Sequence, residues 1–312
     1  MLFEAAGLII GLVVLVKASE GAINSSIVTS KLLGLSEMFV GLVVLAFATS
    51  LPELAVNILS AINGNSIIGF SNLIGANVAN IAVLFGILGI ITTFKIPAKE
   101  LEGILEIFLL TGIIALFILV FGFVGKVFGL FLLCMFYLFM NRLFKEGFRA
   151  NGNARKNGIP TLVALKNIGK ILGFIALVII AAHVVVSSAL SMSSSFGIMQ
   201  SFIGATIISL GTTLPEISVS VAAIRKKNVS LAIGNAVGSL VANLTLILGV
   251  SALLSSSIVL DAGAKIAVLF MLLAYAVFYV VIHDKVFTPV KSVILFGVYI
   301  LFLISMIVVG VL

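Results

Sequence analysis

The sequence predicts an all-α polytopic membrane protein: ten transmembrane helices folded as two inverted five-helix repeats. Three observations predict it. Of the 312 residues, 62% are hydrophobic and 9% charged, whereas soluble domains carry about 25% charged residues. Apolar runs of span length recur along the whole chain, and about 20 such residues make one helical crossing. Finally, the chain matches itself at an offset of 163 residues, without a gap, when 41–86 is laid on 204–249.

The runs read as helices over roughly 2–30, 37–62, 67–91, 102–121, 126–142, 167–192, 198–224, 229–254, 263–282 and 291–311. Barrel strands would be shorter and would alternate. The first run turns polar after Val16, with Lys17, Ser19 and Glu20. It reads as a tilted helix or as a span with an amphipathic extension. No basic segment precedes it, so it reads as a retained span and not a cleaved signal. The units are a first five-helix repeat over 1–142, a basic cytoplasmic connection over 143–166, and a second, inverted repeat over 167–312.

Charge fixes the orientation. The longest polar connection carries Arg142, Lys145, Arg149, Arg155, Lys156 and Lys166, and such segments stay on the cytoplasmic side. Ten spans then put both termini outside, in a multi-pass protein of the cell membrane. Of the 18 basic residues, 16 fall on the cytoplasmic side, and only Lys126 and Lys265 fall outside. The net charge of +7 is therefore topology, and no nucleic-acid partner is expected. The single cysteine, Cys134, excludes an intramolecular disulfide and any CxxC site.

The polar matches in the repeat are the informative ones. They include Thr49/Thr212, Pro52/Pro215, Glu53/Glu216, Asn72/Asn235 and Asn80/Asn243. Five spans per copy is an odd number, so the second copy enters the membrane upside down. Inverted repeats with broken helices meeting at the midplane are an architecture of secondary transporters.

Glu53 and Glu216 each sit deep in an apolar run, where a carboxylate costs roughly 2.5–3.5 kcal/mol on insertion scales. Each follows a proline, which removes a helical hydrogen bond and frees carbonyl oxygens. Thr49 and Ala46 share the face of Glu53 at helical spacing. The next span adds Asn72, Asn77 and Asn80, and the second copy offers Ser209, Thr212, Asn235, Ser239 and Asn243. The donors are all oxygens, the set that hard cations such as Ca²⁺ select; zinc, copper and iron sites would call on His or Cys. Two carboxylates are neutralised by one Ca²⁺, two Na⁺ or two protons. If access switches only when the site is neutral, the outcome is obligate exchange.

The segments Ala48-Thr49-Ser50-Leu51-Pro52-Glu53 and Gly211-Thr212-Thr213-Leu214-Pro215-Glu216 are each followed by an Asn-rich segment ending at Asn80 or Asn243. In this pattern the chain resembles the cation/calcium exchanger superfamily, and within it the prokaryotic sodium/calcium exchangers. The resemblance covers all ten spans and is specific over about 50 residues per half. It implies Ca²⁺ transport driven by a Na⁺ gradient, with the first and sixth spans sliding to alternate access. It also implies ligands at Glu53, Glu216, Thr49, Thr212, Asn80 and Asn243, with further oxygens from Ala46, Ser50, Ser209, Thr213 and Ser239. Four positions depart from the pattern: Ala48, Ser71, Ala76 and Asn243, the last standing where several prokaryotic relatives have aspartate. Ca²⁺/H⁺ exchange on the same site is the alternative, and a cation channel is the alternative of a different class. No cofactor and no protein partner is expected; Ca²⁺, Na⁺ and the lipid bilayer are the partners, and a monomer suffices for transport.

An enzyme is not expected. The two aspartates, Asp261 and Asp284, lie at span ends, HExxH is absent, and His183 is the one histidine within a span. Glu20 and His183 occupy equivalent repeat positions and read as polar groups facing water near a helix end.

Overall fold

In lipid, a helix satisfies its own backbone and an irregular segment does not, so helix is the expected answer to these apolar runs. The computed structural model describes residues 2–32, 49–96, 98–149, 161–225, 227–283 and 285–311. It is all-helical apart from four two-residue strands. The helices are α1 (Leu2–Leu32), α2 (Leu51–Ile62), α3 (Ser66–Ile91), α4 (Ala98–Phe121) and α5 (Lys126–Arg149). They continue with α6 (Thr161–Phe196), α7 (Gln200–Arg225), α8 (Val229–Val241, extended by Ala242–Ile247 and Leu248–Leu254), α9 (Ala262–Val281) and α10 (Pro289–Val311). Among the described residues, seven helices are long and apolar enough to cross a membrane.

The prolines mark helix starts. Pro289 opens α10. Pro52 lies in the first turn of α2, and Pro215 is the second residue of Leu214–Arg225. The sequence reading places these last two inside continuous helices. The structure instead starts α2 after Ser50 and interrupts α7 at Thr213, using each proline at a start, where a missing N–H costs nothing; 37–48 of the expected second span lie outside the described residues. Helix also extends into both ends of the expected connection at 143–166, since α5 reaches Arg149 and α6 begins at Thr161.

Three helices widen to π-helix at Asn80–Leu84, Gly204–Ile208 and Ala242–Ile247. Two of these fall at the repeat-related asparagines Asn80 and Asn243. Such bulges turn side chains out of the regular register and concentrate at functional sites.

α1 packs lengthwise on α6 through Leu8, Leu15, Ala18, Val178, Ala182 and Val185. A larger apolar cluster joins α3, α4, α8, α9 and α10. Close approach of α3 to α7 depends on Gly75, where a Cβ would run into the Ala205 carbonyl oxygen.

Two short ribbons join the halves. β1 (Phe94–Lys95) pairs antiparallel with β4 (Val286–Phe287), and β2 (Phe123–Val124) with β3 (Ile258–Val259). Each ribbon is extended by one more backbone bond, Ile96 N to Lys285 O and Leu260 N to Gly122 O, both 2.9 Å. β2 and β4 are separated by the 163-residue offset. The helix ends repeat with it too. Gly64 (φ 74°) bonds back to Ala61 O and Asn65 to Ser60 O; Lys227 (φ 59°) and Asn228 do the same to Ile224 O and Ala223 O. This is the Schellman closure, built on glycine in one half and on lysine in the other.

A buried two-carboxylate oxygen site

Glu53 lies in the first turn of α2 and Glu216 in the first turn of the second segment of α7. A helical segment starting just ahead of each carboxylate gives it a helix N-terminus, whose partial positive charge favours an anion. That is the local reason a carboxylate is tolerated there. Both side chains are fully buried.

Around them is a belt of buried polar side chains: Thr49, Ser50, Asn72, Asn77, Asn80, Ser209, Thr212, Thr213, Asn235, Ser239 and Asn243. Reciprocal bonds tie the two halves together. Thr212 Oγ1 donates to Asn72 Oδ1 at 3.0 Å, and Thr49 Oγ1 donates to Asn235 Oδ1 at 3.3 Å. The offset carries each of these pairs onto the other.

The two carboxylates differ in their surroundings. Glu216 Oε1 accepts from Ser50 and Ser239, each at 3.4 Å, and those two hydroxyls stand 3.3 Å apart. These contacts are long beside an ordinary O–H···O distance of about 2.7–2.8 Å. The repeat counterparts of Ser50 and Ser239 are Thr213 and Ala76. Thr213 turns its hydroxyl to Ser209 O at 2.6 Å, and Ala76 has none to offer. Among the described residues, neither oxygen of Glu53 meets a hydrogen-bond donor.

Other oxygens are equally bare. Glu216 Oε2, Asn243 Oδ1 and Asn80 Oδ1 are buried without a hydrogen-bond partner among the described residues. Buried polar atoms are normally satisfied, and an exception calls for a reason such as an ion. A set of orphaned oxygens on α2, α3, α7 and α8, three of them from two carboxylates, fits a hard cation. Among the described residues, no group of three or more His, Cys, Asp or Glu comes together.

The residues expected from the sequence therefore fall into three groups. Glu53, Glu216, Asn80 and Asn243 present unpartnered oxygens, and Thr49, Ser50, Thr212 and Ser239 bond to their neighbours. The side chains of Ser209 and Thr213 are turned back onto α7, Ser209 to Ala205 O at 2.6 Å. Ala46 lies outside the described residues. The sequence reading misses Asn57 and Ser220, and it names Asn77 as an oxygen donor without making it a ligand. Asn57 Nδ2 donates to Glu53 O at 3.0 Å, and Asn235 Nδ2 donates to Glu216 O (3.2 Å) and to Ser220 Oγ (3.0 Å). A polar residue four positions after each glutamate was the available signal. It is inconspicuous because one copy uses asparagine and the other serine.

Glu20 pairs with Lys17 at 2.9 Å. His183 is exposed on α6, and Cys134 is exposed and unpaired.

A bundle of membrane-spanning helices around a buried, all-oxygen, two-carboxylate site defines a membrane ion transporter. The chain belongs to the sodium/calcium exchanger protein family, whose model matches residues 3–145 and again 166–308. This is a family of membrane transporters and not of catalytic enzymes. Among its relatives, inner membrane protein YrbG of Escherichia coli is 27% identical, covering 82% of this chain and 81% of that protein. The sodium/calcium exchanger MaX1 of Methanosarcina acetivorans is 28% identical, covering 79% and 81%. The structure of the sodium-calcium exchanger NCX_Mj soaked with 10 mM Na⁺ and 10 mM Sr²⁺ shares the fold, with a TM-score of 0.67, 21% identity and coverage of 96% and 97%.

Proposed function

We propose that this protein is a secondary-active antiporter that exchanges Ca²⁺ for Na⁺ across the cell membrane, by alternating access at a midplane site built on Glu53 and Glu216. The observation that carries this reading is the group of buried, unpartnered oxygens on Glu53, Glu216, Asn80 and Asn243. Two buried anions without a counter-charge cost several kcal/mol, so the pair demands a cation load. One Ca²⁺ or two Na⁺ supply the same charge, and exchange follows if only the loaded site can change its exposure.

The architecture proposed is ten spans in two inverted five-helix repeats, with both termini outside. Several observations support it. The two family-model matches are offset by 163 residues, as are β2 and β4, the two Schellman closures and the two cross-half Thr–Asn bonds. Each ribbon also joins two connections that the charge-based layout puts on one side of the membrane. The lengthwise pairing of α1 with α6 suits a two-helix unit sliding past the remainder. One chain supplies the whole proposed site, so a monomer suffices. The ligands proposed are Glu53, Glu216, Asn80, Asn243, Thr49 and Thr212, with backbone or hydroxyl oxygens from Ala46, Ser50, Ser209, Thr213 and Ser239.

The test is Ca²⁺ uptake into vesicles holding the purified protein. An outward Na⁺ gradient at clamped pH is expected to drive radioactive Ca²⁺ inward. Uptake driven only by a pH gradient would replace Na⁺ by H⁺ as the coupling ion. Ca²⁺ flux with no gradient of either ion coupled to it would mean a channel.

A further inference from the structure

An asparagine ligand has a problem that an aspartate lacks. Either oxygen of a carboxylate can face a cation, but an amide presents oxygen on one side and N–H₂ on the other. Something must hold the amide the right way round, and for Asn243 the structure shows what does.

Asn243 Nδ2 donates to Asn77 Oδ1 at 2.9 Å, and Asn77 Nδ2 in turn donates to Met271 Sδ at 3.7 Å. All three side chains are fully buried. The thioether sulfur accepts weakly and cannot donate. Turning Asn77 over would set its carbonyl oxygen against the sulfur, acceptor on acceptor. Met271 thus fixes Asn77, and Asn77 oxygen fixes Asn243 nitrogen. The remaining atom, Asn243 Oδ1, is the one left without a partner.

The other half of the molecule lacks this relay. The repeat counterpart of Asn77 is Leu240, and both amide atoms of Asn80 are without a hydrogen-bond partner. Asn77 is therefore not a generic part of the repeat.

We infer that Asn77 is a positioning residue that, backed by Met271, holds the Asn243 amide with its oxygen toward the cation. The inference rests on the exchanger reading of the Glu53–Glu216 site. It makes Asn77 matter for cation affinity only as long as position 243 is an amide.

Asn77→Leu tests this, because it copies the residue of the other half and keeps the side-chain branching. The Ca²⁺ KM of Na⁺-driven uptake is expected to rise about five- to tenfold, the size of one neutral hydrogen bond, with the maximal rate changed less. In an Asn243→Asp background the same substitution is expected not to raise KM, since either carboxylate oxygen then serves and Asn77 Oδ1 no longer has an N–H to accept from. Should Asn77→Leu fail to fold, Met271→Leu removes the sulfur acceptor and is expected to raise KM in the same direction by a smaller factor. A wild-type KM in the folded variants, or an Asn77→Leu effect undiminished in the Asn243→Asp background, would overturn the inference. Calorimetric Ca²⁺ binding to the purified protein reads the same shifts without transport. Absence of Na⁺-driven uptake by the wild type would instead count against the exchanger reading, and the two failures stay distinct.

Discussion

Thr212 gives its hydroxyl hydrogen to Asn72 Oδ1 at 3.0 Å, across 140 residues of chain. The repeat-related pair Thr49 and Asn235 does the same at 3.3 Å. Each threonine thus bonds to an amide belonging to the other half, four residues ahead of Glu53 or Glu216 in its own.

Removing these cross-half donors is expected to weaken both fold and site. Thr212→Val leaves the buried Asn72 oxygen without its donor, which costs about 1–3 kcal/mol. Thermal unfolding of the purified protein is expected to drop accordingly, with Thr49→Val acting in the same direction. An unchanged unfolding temperature in both would show that the bonds are incidental.

Glu53→Gln and Glu216→Gln are expected to keep the protein folded and end exchange. Each removes half of the site's negative charge, and the loss in Na⁺-driven Ca²⁺ uptake should be about 100-fold or more, equivalent to roughly 2.8 kcal/mol. Vesicle uptake at the wild-type rate in either variant would remove that carboxylate from the site.

Cation binding should show as stabilisation. A ligand present at a thousand times its Kd stabilises the folded state by about 4 kcal/mol. Ca²⁺ and Na⁺ are each expected to raise the unfolding temperature of the wild type, and Ca²⁺ to lose most of that effect in Glu53→Gln. Equal shifts in both proteins would place the binding elsewhere.

Close helix packing makes Gly75→Ala damaging although both residues are small. The added methyl would meet the Ala205 carbonyl oxygen and Ser209 Oγ, and such overpacking costs about 1–3 kcal/mol. A lower unfolding temperature with reduced transport is expected. Gly103→Ala, where nothing lies within 4 Å of the new methyl, is the matched control and should behave as wild type.

Much of the candidate site was legible in the chain because lipid makes polar residues conspicuous. Glu53, Glu216, Asn80 and Asn243 stand out from apolar runs, and each recurs at the same offset. Asn57 and Ser220 were harder to read because they fill one role with different chemistry. The fates of Ser50 and Thr213 were not legible at all. They are repeat counterparts with hydroxyls in common, yet Ser50 faces Glu216 across the molecule and Thr213 turns back to its own helix.

The sequence by itself determined the membrane environment, the helices and the pair of glutamates, because burial in lipid and backbone self-satisfaction act on local composition. It also placed the prolines beside the carboxylates. Only the tertiary structure decided that those prolines start helices, that Ser50 and Ser239 hydrogen-bond to Glu216 while Glu53 has no hydrogen-bond partner among the described residues, and that Asn243 donates to Asn77 while Asn80 has no such partner. The Ser50–Glu216, Asn243–Asn77 and Asn77–Met271 contacts join residues 166 to 194 apart in sequence, and a hydrogen bond is fixed by which atoms the packing brings within about 3 Å of each other.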